Sequence, residues 1–250
     1  MIPIAEAYAR ARRRLLLLDY DGTLAEFNTD PMAARPSEEL LQVLKKLTDD
    51  PANTVVVISG RPGATLEEWL GHLKLGFSAE HGFLHKQPGS EWQPSADITG
   101  DWKVPVRELM RLYTERVTGS LLEEKVSALT WHWRAAEDQA LAMRLEQELM
   151  DELEKLAGPM QLRILQIVRG NKVIEVHPLG FDKGTGGTWW LHQGEFDFIL
   201  AAGDDTTDED LFRVMPPGAF VVKVGAGETL AQYHLESPAA MRAFLQTLAK

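Results

Sequence analysis

Three short apolar runs that stop abruptly at polar residues and glycine limit what this chain can fold into: Leu15 to Asp19, Thr54 to Ser59 and Phe198 to Gly203. A continuous apolar run without alternation suits a parallel strand buried on both faces, with functional loops at its carboxyl end. Between the first two runs, Ser37 to Leu47 opens with Ser-x-Glu and repeats apolar residues at three- and four-residue spacing. That pattern predicts an amphipathic crossover helix. Strand, helix and strand in this order predict an α/β fold, a doubly wound parallel sheet of Rossmann-like type with its ligand site where the strand ends converge.

The middle of the chain follows different rules. Trp102 to Val117 has helical spacing, Ala128 to Arg134 alternates like a strand, and Glu137 to Leu156 forms a long charged amphipathic pattern. Two further strands, Leu162 to Val168 and Lys172 to His177, are joined by Arg169-Gly170-Asn171, which has hairpin-turn chemistry. A helix-strand-helix-strand-strand block inside a parallel frame predicts an inserted α+β cap domain over 103–178, with the parallel α/β core over 1–102 and 179–250. Trp131 and Trp133 flank His132 in alternation, so the tryptophans pack on the helices of the cap. No internal repeat, low-complexity segment or sustained heptad pattern is present.

Composition narrows the function. At 250 residues, with 44% hydrophobic and 25% charged residues, the chain can bury a core and a smaller inserted domain. A formal charge of -11 argues against nucleic acid or an anionic membrane as partner, since both call for basic patches. Without cysteine there is no disulfide, thiolate metal site or thiol nucleophile. Leu15 to Leu18 is too short to span a bilayer, and Arg12 to Arg14 before it make no secretory signal. A soluble, cytoplasmic protein is expected.

Two acidic clusters follow apolar strands. Asp19-Tyr20-Asp21-Gly22-Thr23 sets two carboxylates two positions apart, which repel unless a cation sits between them, and their oxygens suit a hard ion such as Mg2+. Taken alone, these five residues also describe a solvated turn. The second cluster begins Gly203-Asp204-Asp205 and runs through Asp208, Glu209 and Asp210. If the strands are neighbours, Asp204 completes a metal site with Asp19, while Asp205 or Asp208 orients ligands or metal-bound water. The plainer alternative is an acidic helix N-terminus, which is all that Glu209 and Asp210 are expected to provide. Ser59-Gly60-Arg61 offers a hydroxyl and backbone amides to phosphate oxygens, though Ser59 as a simple helix cap is nearly as good an account. Lys183 precedes a helix-like run and can neutralise phosphate and a carboxylate nucleophile; a lone lysine would otherwise be read as surface.

Asp-Tyr-Asp-Gly-Thr, Ser-Gly-Arg, Lys-Gly and Gly-Asp-Asp-x-Thr-Asp-Glu-Asp, in this order, resemble the four motifs of the haloacid dehalogenase (HAD) superfamily of phosphatases. Ala79-Glu80-His81-Gly82 and the run from Glu123 to Arg134 extend the likeness through the cap to the trehalose-6-phosphate phosphatase family. The resemblance implies hydrolysis of trehalose 6-phosphate to trehalose and phosphate through an aspartyl-phosphate on Asp19, with Asp21 as acid and then base. It implies Mg2+ held by Asp19, the carbonyl of Asp21 and Asp204, with Asp205 and Asp208 around them. Gly22, Thr23, Ser59, Gly60 and Lys183 would hold the phosphate. Glu123, Lys125 and Glu175, with His132 and Arg134 as weaker candidates, would grip sugar hydroxyls from the closing cap. For Glu175 and Arg134 a cross-strand ion pair is an even alternative.

Other readings stay open: a phosphatase for sucrose phosphate, mannosylglycerate phosphate or a hexose phosphate, a catalytically silent phosphosugar sensor, or a phosphotransferase. The sensor reading expects loss of Asp19, Asp21, Lys183 or Asp204, and all four are present. A trehalose-6-phosphate synthase is the expected partner or fusion domain, and a stand-alone enzyme is equally compatible. Two departures from the family pattern are Leu24-Ala25-Glu26 after Thr23 and Gly-Thr-Gly-Gly after Lys183. The glycines are expected to loosen the helix that begins there.

Overall fold

Leu15, Leu16, Leu17 and Leu18 are all fully buried, and they form the middle of a central parallel strand, β1 (Arg14–Asp19). Burying each leucine contributes roughly 2 kcal/mol. The computed structural model describes residues 1–28, 31–95, 102–157 and 165–249. The chain divides into two units, Met1–Ser95 with Phe181–Lys250, and Ala96–Gly180.

The first unit opens with α1 (Ile2–Arg10), a helix absent from the apolar-run reading because it precedes the first strand and is short. After β1 come α2 (Glu38–Asp49), β2 (Asn53–Ile58), α3 (Gly63–Leu70), β3 (Gly76–Ala79), β4 (Leu84–Lys86) and β5 (Gln93–Pro94). The Ser37 hydroxyl caps α2 by accepting from the Leu40 N–H at 3.2 Å, as the Ser-x-Glu start predicts.

The second unit contains α4 (Lys103–Arg116), β6 (Leu121–Glu124), β7 (Leu129–His132), α5 (Gln139–Ala157), β8 (Leu165–Gly170) and β9 (Val173–Pro178). Returning to the first unit, the chain forms α6 (Lys183–Leu191), β10 (Phe198–Gly203), α7 (Asp208–Arg213), β11 (Phe220–Val224), β12 (Tyr233–Leu235) and α8 (Pro238–Leu248).

The first unit's sheet runs β12-β11-β10-β1-β2-β3-β4-β5, parallel from β12 to β3 and antiparallel at β4 and β5. Leu15 and Leu17 on one face join Val56, Ile58, Ala201 and Val221 under Trp190 of α6 and Leu211 and Phe212 of α7. Leu16 and Leu18 point to the other face. Helix α2 packs on β2 and on α8, and α8 packs on α1. Helices on both faces make this the doubly wound sheet expected from the three apolar runs.

The second unit is an antiparallel sheet, β6-β7-β9-β8, with Trp131, Trp133, Leu129 and Ile174 packed among apolar residues of α4 and α5. Strand β6 was missed because Leu121–Glu124 is two leucines followed by two glutamates, too short to show alternation. The expected turn at Arg169-Gly170-Asn171 is displaced: Arg169 and Gly170 belong to β8, and Asn171 and Lys172 make the turn, with Lys172 at φ +63°. The start of the expected strand, 162–164, lies outside the described residues. Among the described residues no helix is long and apolar enough to cross a membrane.

Candidate active site

Three parallel strands deliver the polar residues to one edge. β1 pairs with β10 and β2, so Asp19 lies opposite Ile58 and Leu18 opposite Ala202. The next residues outward, Ser59 after β2 and Gly203-Asp204 at the end of β10, therefore emerge beside Asp19. The loop after β1 closes immediately: the Leu24 and Ala25 N–H groups donate to the Tyr20 carbonyl at 2.9 Å, and the Gly22 N–H donates to the Ala25 carbonyl at 2.8 Å. Gly22 has φ +78°, and a Cβ there would lie 2.1 Å from Asp204 Oδ2, so this position requires glycine.

Asp19 is only 3% exposed and Lys183 only 4%. Lys183 Nζ donates to Asp19 Oδ1 and to Asp208 Oδ1, both at 2.8 Å, and lies 3.8 Å from Asp205 Oδ1. Burial pushes the Asp19 carboxyl up to about 7, opposed by Lys183 and reinforced by the nearby Asp204 charge. Burial and repulsion from Asp19 push Asp208 up to about 7 as well. Burial opposes the charge on Lys183, but the surrounding carboxylates outweigh it and raise its affinity for the proton.

The second acidic cluster is not a simple solvated helix start. Asp208 is fully buried, and its Oδ2 accepts from the N–H groups of Asp204 at 2.9 Å and Asp205 at 3.0 Å. Asp205 Oδ1 accepts from the Thr207 N–H at 2.8 Å and hydroxyl at 2.7 Å. Glu209 does more than complement the helix dipole, because its Oε2 accepts from the Leu230 N–H at 2.8 Å and pins the loop after β11. Asp210 pairs with Arg213 at 2.7 Å.

Asp19, Asp204 and Asp208 each offer a carboxylate oxygen within 4.8 Å of the others. The buried Asp19 Oδ2 has no hydrogen-bond partner. Thr23 Oγ1 donates to Asp204 Oδ1 at a long 3.4 Å. An all-oxygen donor set with an unpartnered buried carboxylate oxygen fits a hard divalent cation.

Ser59 is buried, and its Oγ accepts from the Arg61 N–H at 3.1 Å. The sequence motifs include Arg61, Glu80 and His81 but give them no role. Arg61 grips Asp21 through both arms of its guanidinium while stacking over the Trp69 ring at 4.6 Å. Glu80 and His81 adopt left-handed backbone, φ +49° and +55°, and their N–H groups donate to the carbonyls of Arg61 and Ser59. Two non-glycine residues in that region cost about 1 kcal/mol or more each, so the strained turn is fastened to the Ser59–Arg61 segment. An arginine after Ser-Gly was the signal for the first; left-handed φ at Glu-His leaves no mark in sequence.

The glycines after Lys183 do not loosen α6. A Cβ on Gly184, Gly186 or Gly187 would come within 2.5 Å of the Asp210 carbonyl, the Ser78 hydroxyl or the Leu211 side chain, so the glycines let α6 pack closely.

In the second unit, β-register sets Glu123, Thr130 and Glu175 in one row across β6, β7 and β9. Glu175 Oε2 accepts from Lys125 Nζ at 3.2 Å and from the Thr130 hydroxyl at 2.8 Å, and Glu123 Oε2 meets His132 Nε2 at 2.9 Å. The His132 bond, with Lys125 nearby, holds Glu123 below the usual carboxylate range. Burial works against ionised Glu175, but Lys125 and Thr130 outweigh it and lower its affinity for the proton. Arg134 stands apart, donating to the Asn171 carbonyl at 3.4 Å.

The family model for trehalose-phosphatase matches residues 17–239. A bifunctional trehalose-6-phosphate synthase/phosphatase from Thermoproteus tenax is 42% identical over 242 residues, covering 96% of this chain but 32% of that protein. The chain thus spans about a third of the length of that curated relative. The C-terminal domain of C. albicans trehalose-6-phosphate phosphatase superposes with a TM-score of 0.79 at 34% identity, covering 99% of this chain and 96% of that one. A HAD superfamily phosphatase from Bacteroides thetaiotaomicron, 17% identical with TM-score 0.62, covers 94% of this chain and 95% of its own and shares the fold. With its matched span covering both acidic clusters, Ser59, Lys183 and the whole second unit, the chain belongs to the trehalose-phosphatase family.

Proposed function

We propose that this protein is a Mg2+-dependent phosphatase that hydrolyses trehalose 6-phosphate to trehalose and inorganic phosphate. The observation that carries the proposal is the buried Asp19–Lys183 pair beside an unpartnered Asp19 Oδ2, at the meeting point of three strand ends. Asp19 is the nucleophile. An Asp19 oxygen bonds to phosphorus as the phosphorus–sugar oxygen bond breaks, and Asp21, released from Arg61 and protonated, gives that proton to the leaving oxygen. Water then attacks the aspartyl phosphate, its proton passes to Asp21, and Asp19 leaves as a carboxylate. Lys183, held between Asp19 and Asp208, orients the nucleophile and neutralises phosphate charge. Ser59 and the amides of Thr23 and Gly60 bind phosphate oxygens, and Gly22 lets the backbone come close to them.

Asp19, the Asp21 carbonyl and Asp204 would hold Mg2+, with Asp205 and Asp208 bracing that loop. When bound, the ion supplies positive charge that offsets the repulsion between nucleophile and phosphate. We assign the unit over 96–180 as the cap domain, with Glu123, Lys125 and Glu175 receiving sugar hydroxyls and His132 fixing Glu123. Arg134 is the weaker candidate, being bonded to a backbone carbonyl. The name of the Thermoproteus relative supports a trehalose-6-phosphate synthase as fused or separate partner.

Phosphate release from a panel of sugar phosphates, with Mg2+ or with EDTA, tests this function. The expected result is EDTA-sensitive release confined to trehalose 6-phosphate and abolished by Asp19→Asn. Preference for another sugar phosphate overturns the substrate, and release undiminished in Asp19→Asn overturns the nucleophile.

A further inference from the structure

Lys223 is a buried lysine that the proposed chemistry leaves unused. It lies on β11 opposite Gly203, the residue before Asp204, and is only 4% exposed. A buried ammonium is costly unless it is paired or hydrogen-bonded. Its acceptor is the backbone carbonyl of Asp204. The N–H of the same residue donates to buried Asp208 at 2.9 Å. Both backbone polar groups of Asp204 are therefore held by buried charged side chains of opposite sign, one from β11 and one from α7. The Asp204 carboxylate meets Asp19 and receives a long contact from Thr23 at 3.4 Å, and the two backbone anchors hold the residue that carries it.

We infer that Lys223 is a positioning residue for the metal site, fixing the Asp204 carboxylate toward Asp19 through the Asp204 carbonyl. The inference rests on the Mg2+ reading above. Orientation of a ligand from behind is commonly worth ten- to a hundredfold in metal affinity. The sign of the effect separates positioning from simple electrostatics. A lysine acting only through its charge competes with the metal, so removing it tightens binding; a lysine that positions Asp204 has the opposite effect.

The test is calorimetric titration of MgCl2 into the full chain, for wild type, Lys223→Met and Lys223→Gln, with thermal unfolding in EDTA confirming that each variant folds. Gln fills much of the same space with a polar end and gives a second measurement where Met disturbs folding. The expected result is Mg2+ affinity at least about tenfold weaker in each folded variant. Unchanged or tighter binding in the variants, with normal binding by wild type, overturns the role of Lys223 and leaves the metal site standing. A wild-type chain that takes up no Mg2+ overturns the metal reading and this inference with it.

Discussion

Arg61 closes on Asp21 with two parallel hydrogen bonds, Nε to Oδ2 at 2.7 Å and Nη2 to Oδ1 at 2.6 Å. Such a fork fixes the plane of the carboxylate as well as its place. A carboxylate gripped on both oxygens carries no proton, so the fork opens before Asp21 serves the leaving sugar as acid; Asp21→Asn then lowers kcat for trehalose 6-phosphate by about a hundredfold, the scale of general acid catalysis. p-Nitrophenyl phosphate, whose leaving group departs without protonation, should lose far less. Steady-state kinetics with both substrates decide it, and equal losses would sink the assignment.

Lys183→Met removes the cation shared by two buried carboxylates. Stability in urea should fall by about 3 kcal/mol, since the cost of breaking a buried pair is borne by the charge left behind. Adding Asp208→Asn should recover part of the stability and none of the activity. A double variant no more stable than the single one would show that Asp208 is not strained by the missing lysine.

Gly22→Ala puts a methyl group where the Asp204 carboxylate lies, at a left-handed backbone position. The conformation alone costs about 1–2 kcal/mol. The larger expected effect is loss of the rise in Tm that Mg2+ gives wild type, measured by thermal unfolding with and without the ion. A variant that retains the full rise would remove Asp204 from the metal site.

Glu175→Gln keeps the shape of the polar row in the second unit and removes its charge. KM for trehalose 6-phosphate should rise about tenfold or more, whereas hydrolysis of p-nitrophenyl phosphate, which has no sugar, should be unaffected. Matching losses on both substrates would mean that Glu175 supports the fold of that sheet and does not bind sugar.

His85 is buried, stacked 4.4 Å from Trp189, with Nε2 at 2.6 Å from the Ser95 hydroxyl and Nδ1 unpartnered. Burial lowers its pKa from 6.5 to about 4. Between those values the unfolded chain binds a proton that the folded chain refuses. The stability is complete above the unfolded value and is lost as pH falls toward the folded one, by up to about 3 kcal/mol. Urea unfolding at pH 7 and pH 4.5 should therefore show a steeper loss in wild type than in His85→Gln. Equal slopes would assign the acid sensitivity to other groups.

The parallel frame was legible because β1, β2 and β10 are buried on both faces and leave uninterrupted apolar runs. Asp19, Ser59, Lys183 and Asp204 were legible because each stands at a strand or helix end, where sequence and topology agree. Arg61's hold on Asp21 was not, because a bidentate pair between loops depends on how two strand ends lie side by side. Thr130 escaped for a similar reason: only the register of β7 against β9 brings it to Glu175. Strands β4, β5 and β12 are two or three residues long, which is below the length at which periodicity exists.

Asp19 and Lys183 are separated by 164 positions, with the whole second unit between them. On a ribosome adding about 5–20 residues per second, Asp19 is made roughly 10–30 s before Lys183. Its strand can find β2 during that interval but must await β10, its other flank, which comes later still. The order of synthesis thus holds Asp19 in an unfinished sheet until the second unit has been made.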